Sequence, residues 1–411
     1  MLAEIILFLG LGILAGTFTG LIPGIHMNLV GVTLISVYAS ILSGLNPLFL
    51  AVFITSMAMS HTFIDFIPSV FLGCPDTDTE LSVLPGHELL KKGGGFEAVS
   101  LTAYGSLAAV FLLFLIIYPS FFLVPKINNF LLKSIELSPS LSISFMPILL
   151  ILVSFLLIFM EEKKQAGFLV FLISGALGLS VLNIDFLKEP LLPLLTGLFG
   201  SSMIILSIRA KTKIPPQEIS KPELKGNFLR PLFGSLLASP LSSMLPGLGS
   251  GQAAIIGNTF TGRKDNLKGF LVLLGATNTL VMGFSFITFY LIGRTRTGAA
   301  VAINDLIGGF SWQVLTIILA VVLISGIISF FLTIKTGKIF STKLPKINYL
   351  KISLSVLVLL TIIVFLISGF FGLVVFAVST LTGIFCINTG ARRTQMMGCL
   401  LLPTIVFYLM L

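Results

Sequence analysis

Charge is what this chain has least of. Asp, Glu, Lys and Arg make up 10% of its 411 residues, where soluble domains carry about 25%. That shortage excludes an ordinary water-facing domain, whose surface is built largely from such side chains. Cysteine is nearly absent, with only Cys74, Cys386 and Cys399. An odd count without C-x-x-C spacing excludes a disulfide framework and a cysteine metal centre. Cys386 and Cys399 lie in apolar surroundings and read as small filler. His26, His61 and His87 are scattered, with no H-E-x-x-H spacing, so no metal site is expected. The sequence holds no P-loop, dinucleotide fingerprint or nucleophile–base arrangement. It is therefore not read as an enzyme or as an ATP-driven pump, and no cofactor is expected. The opening "MLAEIILFLG" lacks a basic n-region and an A-x-A site, so it reads as a membrane helix and not a cleaved signal.

What is present is apolar. Hydrophobic residues make up 56% of the chain, and the mean hydropathy is +1.09. Apolar runs recur at Ala98–Val124, Phe145–Met160, Phe168–Leu182 and Leu191–Ile208. About 20 such residues cross a bilayer as a helix. The expected fold is an all-α polytopic membrane protein. The longest polar segment, Arg209–Arg230, is rich in Pro, Lys and Glu and reads as a linker. It divides the chain into a first repeat over 1–208, a linker over 209–228 and a second repeat over 229–411.

A net charge of +9 would suggest nucleic acid in a soluble protein. Here membrane topology accounts for it, and no nucleic-acid partner is expected. All 25 lysines and arginines except Lys126, Lys133, Lys188, Arg294 and Arg296 fall in six segments: 91–92, 163–164, 209–230, 263–268, 335–351 and 392–393. Placing these in the cytoplasm satisfies the positive-inside rule. The linker is then cytoplasmic, both termini are extracytoplasmic, and the chain sits in the plasma membrane.

Three matches recur in the same order. "LIPGIHMN" (21–28) matches "MLPGLGSG" (244–251), with Pro23 facing Pro246. "PKIN" occurs at Pro125–Asn128 and again at Pro345–Asn348. "AGFLVFLISGALGLSVLN" (166–183) resembles "FGLVVFAVSTLTGIFCIN" (371–388). Together they argue for duplication. The second "PKIN" loop is far richer in lysine than the first, which puts the two on opposite faces. Two inverted-topology repeats are therefore expected, an arrangement found in secondary transporters.

Within lipid, irregular backbone is tolerated only where protein or a cavity surrounds it. The Pro-Gly sequences thus predict a broken helix in each repeat. Their half-helix starts would bind an anion through backbone amides, using Pro23, Gly24 and Asn28 in one repeat. In the other they would use Pro246, Gly247, Gly249, Ser250 and Gly251. A simple packing kink is the competing reading for either break alone. Each half also has an irregular element, His61–Gly95 and Thr277–Gly309, with a first apolar arm of 11 to 16 residues, a polar tip and a second short arm. Arms this short predict re-entrant hairpins. Aligning Gly73 with Gly293 sets acidic "CPDTDT" against basic "RTRTGA". Arg294, Thr295, Arg296 and Thr297 are candidates for binding an anion, since Arg matches carboxylate and phosphate bidentately. Asp76, Thr77 and Asp78 are candidates for a coupling cation, Na+ or H+, or for a gating pair with the arginines. Asp65 is a candidate protonation site or a helix cap. Asn278 and Thr279 are candidate polar contacts, and Trp312 marks an interface belt.

The stretches "GTFTGLIPG" (16–24), "PSVFLGCPDTDTELSVLPGHELLKKGGGFEAVSLTAYGS" (68–106) and "LPGLGSGQAA" resemble the TctA family, the large membrane subunit of tripartite tricarboxylate transporters. Pro68, Ser69, Leu72, Pro75, Gly86, Leu89 and Gly93 hold places in that family's pattern. The family's Pro-Gly after the hairpin arm is Pro75-Asp76 here. The resemblance implies ion-gradient-driven uptake of carboxylates such as citrate. It also implies a small membrane subunit and an extracytoplasmic binding protein as partners.

The leading expectation is thus a secondary transporter, or symporter, of small carboxylates working by alternating access. The alternative is a translocase for a lipid phosphate, drawn from the surrounding membrane lipid. An oligomer is compatible with either.

Overall fold

The computed structural model describes residues 1–22, 44–73, 79–138, 141–209, 215–220, 222–224, 226, 228–245, 248–261, 266–294, 297–346 and 349–410. Nine helices among them are long and apolar enough to cross a membrane. The one exception to helix in the regular structure described is a short antiparallel hairpin, Ser134–Ser138 with Leu141–Ser144.

The first half opens with α1 (Leu2–Leu21), then α2 (Pro47–Ile64) and α3 (Phe66–Leu72). A short α4 (Val83–Lys91) and a long α5 (Gly95–Leu132) follow, then α6 (Phe145–Phe159), α7 (Lys164–Leu182) and α8 (Leu191–Arg209). The second half has α9 (Leu229–Met244), α10 (Ser250–Thr259), α11 (Leu267–Ile292), α12 (Gly298–Ile307) and α13 (Trp312–Lys343). It ends with α14 (Tyr349–Thr389), which turns sharply at Gly369, and α15 (Gly398–Met410).

The first arms of the expected hairpins are longer than the sequence suggested. The arm read from His61 begins at Pro47, and the combined Pro47–Leu72 segment has 26 residues, as does Leu267–Ile292. At a rise of about 1.5 Å per residue each is long enough to span a bilayer. The second arms, α4 and α12, are short as expected, with 9 and 10 residues. Both long arms end on a left-handed glycine, Gly73 at φ 67° and Gly293 at φ 63°. Only glycine adopts that backbone freely, which makes it the natural stop for a helix.

The expected broken helix takes another form in the second half. The chain does not resume its direction after the break. A Cβ on Gly234 would meet the Gly257 carbonyl at 2.4 Å, and one on Gly257 would meet the Gly234 carbonyl at 2.7 Å. This places α10 antiparallel to α9, so the two helices form a hairpin, with Leu245 and Leu248 the described residues nearest its turn. Glycine on both helices is what allows backbones to approach this closely.

The halves interlock. In the first, α1 runs parallel to α2, with Gly12, Gly16 and Gly20 against Phe53, Met57 and Ile64. In the second, α9 runs parallel to α11, and the Ser243 hydroxyl donates to the Val281 carbonyl at 3.2 Å. Across the halves, α5 lies along α11, with Gly105 against Val272 and Gly275 against Thr102. Likewise α2 lies along α13, where the Ser329 hydroxyl donates to Ser60 at 2.7 Å. One continuous core includes Phe63, Phe66 and Phe71 from the first half and Phe284, Phe286 and Ile287 from the second. Linker residue Gln217 is fixed to the turn before α5, accepting from the Gly95 amide at 2.8 Å. Lys268 reaches Glu97 at 2.8 Å and linker residue Glu223 at 3.0 Å. Cys386 and Cys399 are buried and form no disulfide. Trp312 is half exposed and packs edge-on against Phe121, at 5.9 Å.

Candidate functional site

The tip of the α9–α10 hairpin follows from its sequence. Leu245 is extended, at φ −92° and ψ 115°, because the ring of a following proline disfavours helix in the residue before it. Ile22, which precedes Pro23, has nearly the same conformation, at φ −101° and ψ 107°. Helix restarts at Ser250 with Gly249 as its cap. The Ser242 hydroxyl ties the tip down by donating to the Leu248 carbonyl at 2.8 Å. The tip lies deep in the protein: Leu245, Leu248, Ser250 and Gln252 are each no more than 1% exposed.

This buried tip presents donors. The first amides of a helix have no acceptor within it and carry its positive end; in α10 Gly251 is one of them. Gln252 completes the set. Its carbonyl Oε1 accepts from the Gly249 amide, which fixes the orientation of the side-chain amide. Its Nε2 is thereby held beside the tip, buried, and without a hydrogen-bond partner. A buried donor left in this state costs about 1–3 kcal/mol, and an oxyanion would satisfy it. Sequence reasoning singled out Gly249, Ser250 and Gly251 but missed Gln252. A lone glutamine after a glycine run carries no signal until the fold shows where its amide points.

Asp65 lies at the junction of α2 and α3. Pro68 produces the interruption, because it has no N–H for the Ile64 carbonyl and its ring crowds that carbonyl. Asp65 is 3% exposed. Asn278 of α11 donates to its Oδ2 at 3.0 Å and to the Thr62 carbonyl at 3.4 Å. Nearby, the hydroxyls of Thr62 and Thr279 are 3.5 Å apart. Ser69 donates to the Asp65 carbonyl at 2.8 Å and lies 2.6 Å from the Thr79 hydroxyl. In the opposite half, Thr297 donates to Ser285 at 2.6 Å. His61 faces Thr19 of α1 at 3.1 Å. The Asn278 amide and the Thr62–Thr279 hydroxyls thus line the contact between the two long arms.

Arg294 is exposed at the tip after Gly293. Thr297 is buried at the start of α12. Pro23, Gly24, Asn28, Asp76, Thr77, Asp78, Pro246, Gly247, Thr295 and Arg296 lie outside the described residues. Among the described residues no group of three or more His, Cys, Asp or Glu side chains could hold a metal ion.

A cavity of about 460 Å³ opens beside α10. Leu81 and Pro85 line one wall, Ile255 and Asn258 of α10 another, and Phe270 of α11 with its N-cap Asn266 a third. The turn 390–393 closes it with Arg392 and Arg393. Close by, burial pushes the His87 imidazole down to about 4, reinforced by the positive charges of Arg393 and Lys91.

A family model described as "Tripartite tricarboxylate transporter TctA family" matches residues 6–398. The chain is 30% identical to an uncharacterized protein of Methanocaldococcus jannaschii over 411 residues, covering 98% of this chain and 99% of that one. No solved structure matches it.

Proposed function

The chain belongs to the tripartite tricarboxylate transporter TctA family, and on that premise we propose that it is an ion-gradient-driven secondary transporter of small carboxylates such as citrate. Membership and the many apolar helices make it a multi-pass membrane transport component. The observation that supports the substrate class is the buried tip at 249–252, where helix amides and the Nε2 of Gln252 all donate. A carboxylate is the complement of such a set. Asp65 is the coupling group in this reading, a buried carboxylate held by the opposite half through Asn278. Alternating access comes from movement between inverted halves, which the matched elements around Gly73 and Gly293 support. The partners are those of a tripartite system: a small membrane subunit and an extracytoplasmic binding protein. The family match favours this reading over a lipid-phosphate carrier.

The test is thermal stabilisation of the purified protein by citrate, succinate, inorganic phosphate and a short polyprenyl phosphate. A ligand that binds the folded state raises its apparent stability by mass action. Stabilisation by a carboxylate is expected, followed by gradient-dependent uptake of that carboxylate into proteoliposomes. Stabilisation by the lipid phosphate alone overturns the reading.

A further inference from the structure

We infer that the cavity beside α10 is a second anion site, a vestibule in which Arg392 holds a small carboxylate on its way to or from the hairpin tip. For its ligand class this rests on the transport reading above. The cavity's volume of about 460 Å³ falls within the roughly 300–1,000 Å³ of small-molecule sites. Its described lining holds two guanidinium groups and two asparagine amides, and no carboxylate. Ile255 of the lining follows Gln252 by three residues along α10, so these two are neighbours on the helix surface. The cavity wall on α10 therefore begins about one turn beyond the unpartnered Gln252 donor.

The wall that carries the arginines is built into the fold. Glu161, only 4% exposed, accepts from the Arg392 backbone amide at 3.2 Å and from Gln395 Nε2 at 3.4 Å. Lys163 donates to the Thr389 carbonyl at 3.2 Å, and the Thr389 hydroxyl accepts from the Ala391 amide at 3.3 Å. Glu161 thus braces the turn from outside the cavity lining. The Arg392 side chain is exposed and has no ion pair with a described acid, so it is not a structural lock. A guanidinium in that position matches a carboxylate bidentately. The Asn258 carbonyl is taken by the Thr261 hydroxyl at 3.1 Å, which leaves its NH2 as the group it offers. Charge of one sign in a low-dielectric cleft raises the local concentration of the opposite ion.

The experiment uses the full chain in nanodiscs of neutral lipid, with citrate as probe. Citrate affinity is compared for wild type, Arg392→Gln and Arg392→Lys. Separately, Asn258→Cys in a Cys74→Ser background is labelled with a charged thiol reagent, with and without citrate. Losing one charge-assisted contact should weaken citrate binding about tenfold in Arg392→Gln, with partial recovery in Arg392→Lys, and citrate should slow labelling several-fold. Repeating the titration in discs containing anionic lipid separates free anion from headgroup. Competition by that lipid that abolishes citrate protection at position 258 assigns the site to the headgroup and overturns the inference. Wild-type affinity in Arg392→Gln with unchanged labelling also overturns it and leaves the transport reading standing. Failure of wild type to bind citrate, succinate or any other carboxylate overturns both.

Discussion

The Asn278 amide donates to the Asp65 carboxylate at 3.0 Å across 213 positions of sequence. This bond joins the two long arms where both are buried. A buried carboxylate needs such a donor, since burial without one is expensive. Asp65→Asn keeps the size and most of the hydrogen bonding but removes the charge. It should fold with a near-native melting temperature, keep exchange of internal for external citrate, and lose gradient-driven accumulation. Accumulation at the wild-type level would remove Asp65 from the coupling role.

Gln252 separates structure from binding. Gln252→Glu keeps an acceptor for the Gly249 amide but replaces the donor with an acceptor carrying charge. It should leave stability nearly unchanged while carboxylate affinity falls by about tenfold or more. Gln252→Leu removes both functions, so stability should also fall by about 1 kcal/mol. The two variants are read by calorimetric titration and thermal melts. Equal affinity in all three proteins would show that the Nε2 donor never meets the ligand.

The α9–α10 hairpin depends on Gly234 and Gly257. A Cβ at either position falls 2.4 to 2.7 Å from a facing carbonyl oxygen, far inside van der Waals contact. Gly257→Val should cost about 1–3 kcal/mol, the usual penalty for overpacking, and should reduce citrate binding because the tip shifts with α10. A wild-type melting temperature in this variant would mean the helices do not approach in this way.

His87 predicts a pH dependence. Burial, with Arg393 and Lys91 nearby, lowers its folded value to about 4 from an ordinary 6.5. The unfolded chain therefore binds the proton more readily. The associated stability is fully present above pH 6.5 and is lost as pH falls through about 4. The melting temperature should drop between pH 6.5 and 4, and His87→Gln should flatten that drop. Parallel curves for the two proteins would assign the acid loss elsewhere.

Much of the architecture was legible because its causes are local. The apolar runs, the helix stops before Pro23 and Pro246, and the matching glycine turns at 73 and 293 follow from transfer energy, ring sterics and left-handed backbone. The basic pair Arg392–Arg393 was also visible, but only as charge for topology. The reading of 11–16-residue arms failed because polar residues such as His61 and Thr277 looked like ends. In the fold they lie inside long helices, buried in the protein interior.

The sequence by itself determined that this is a membrane protein of many helices, where those helices stop, and which family it resembles. Hydrophobicity and backbone geometry act over a few residues and leave their mark in order along the chain. Only the tertiary structure decided that α10 turns back on α9, that Gln252 holds a donor without a partner, and that Asn278 meets Asp65. A proline says that a helix ends and nothing about where the next one goes. That direction is set by glycine faces more than 20 residues apart and by polar pairs from opposite halves, whose energy exists only once the helices are packed.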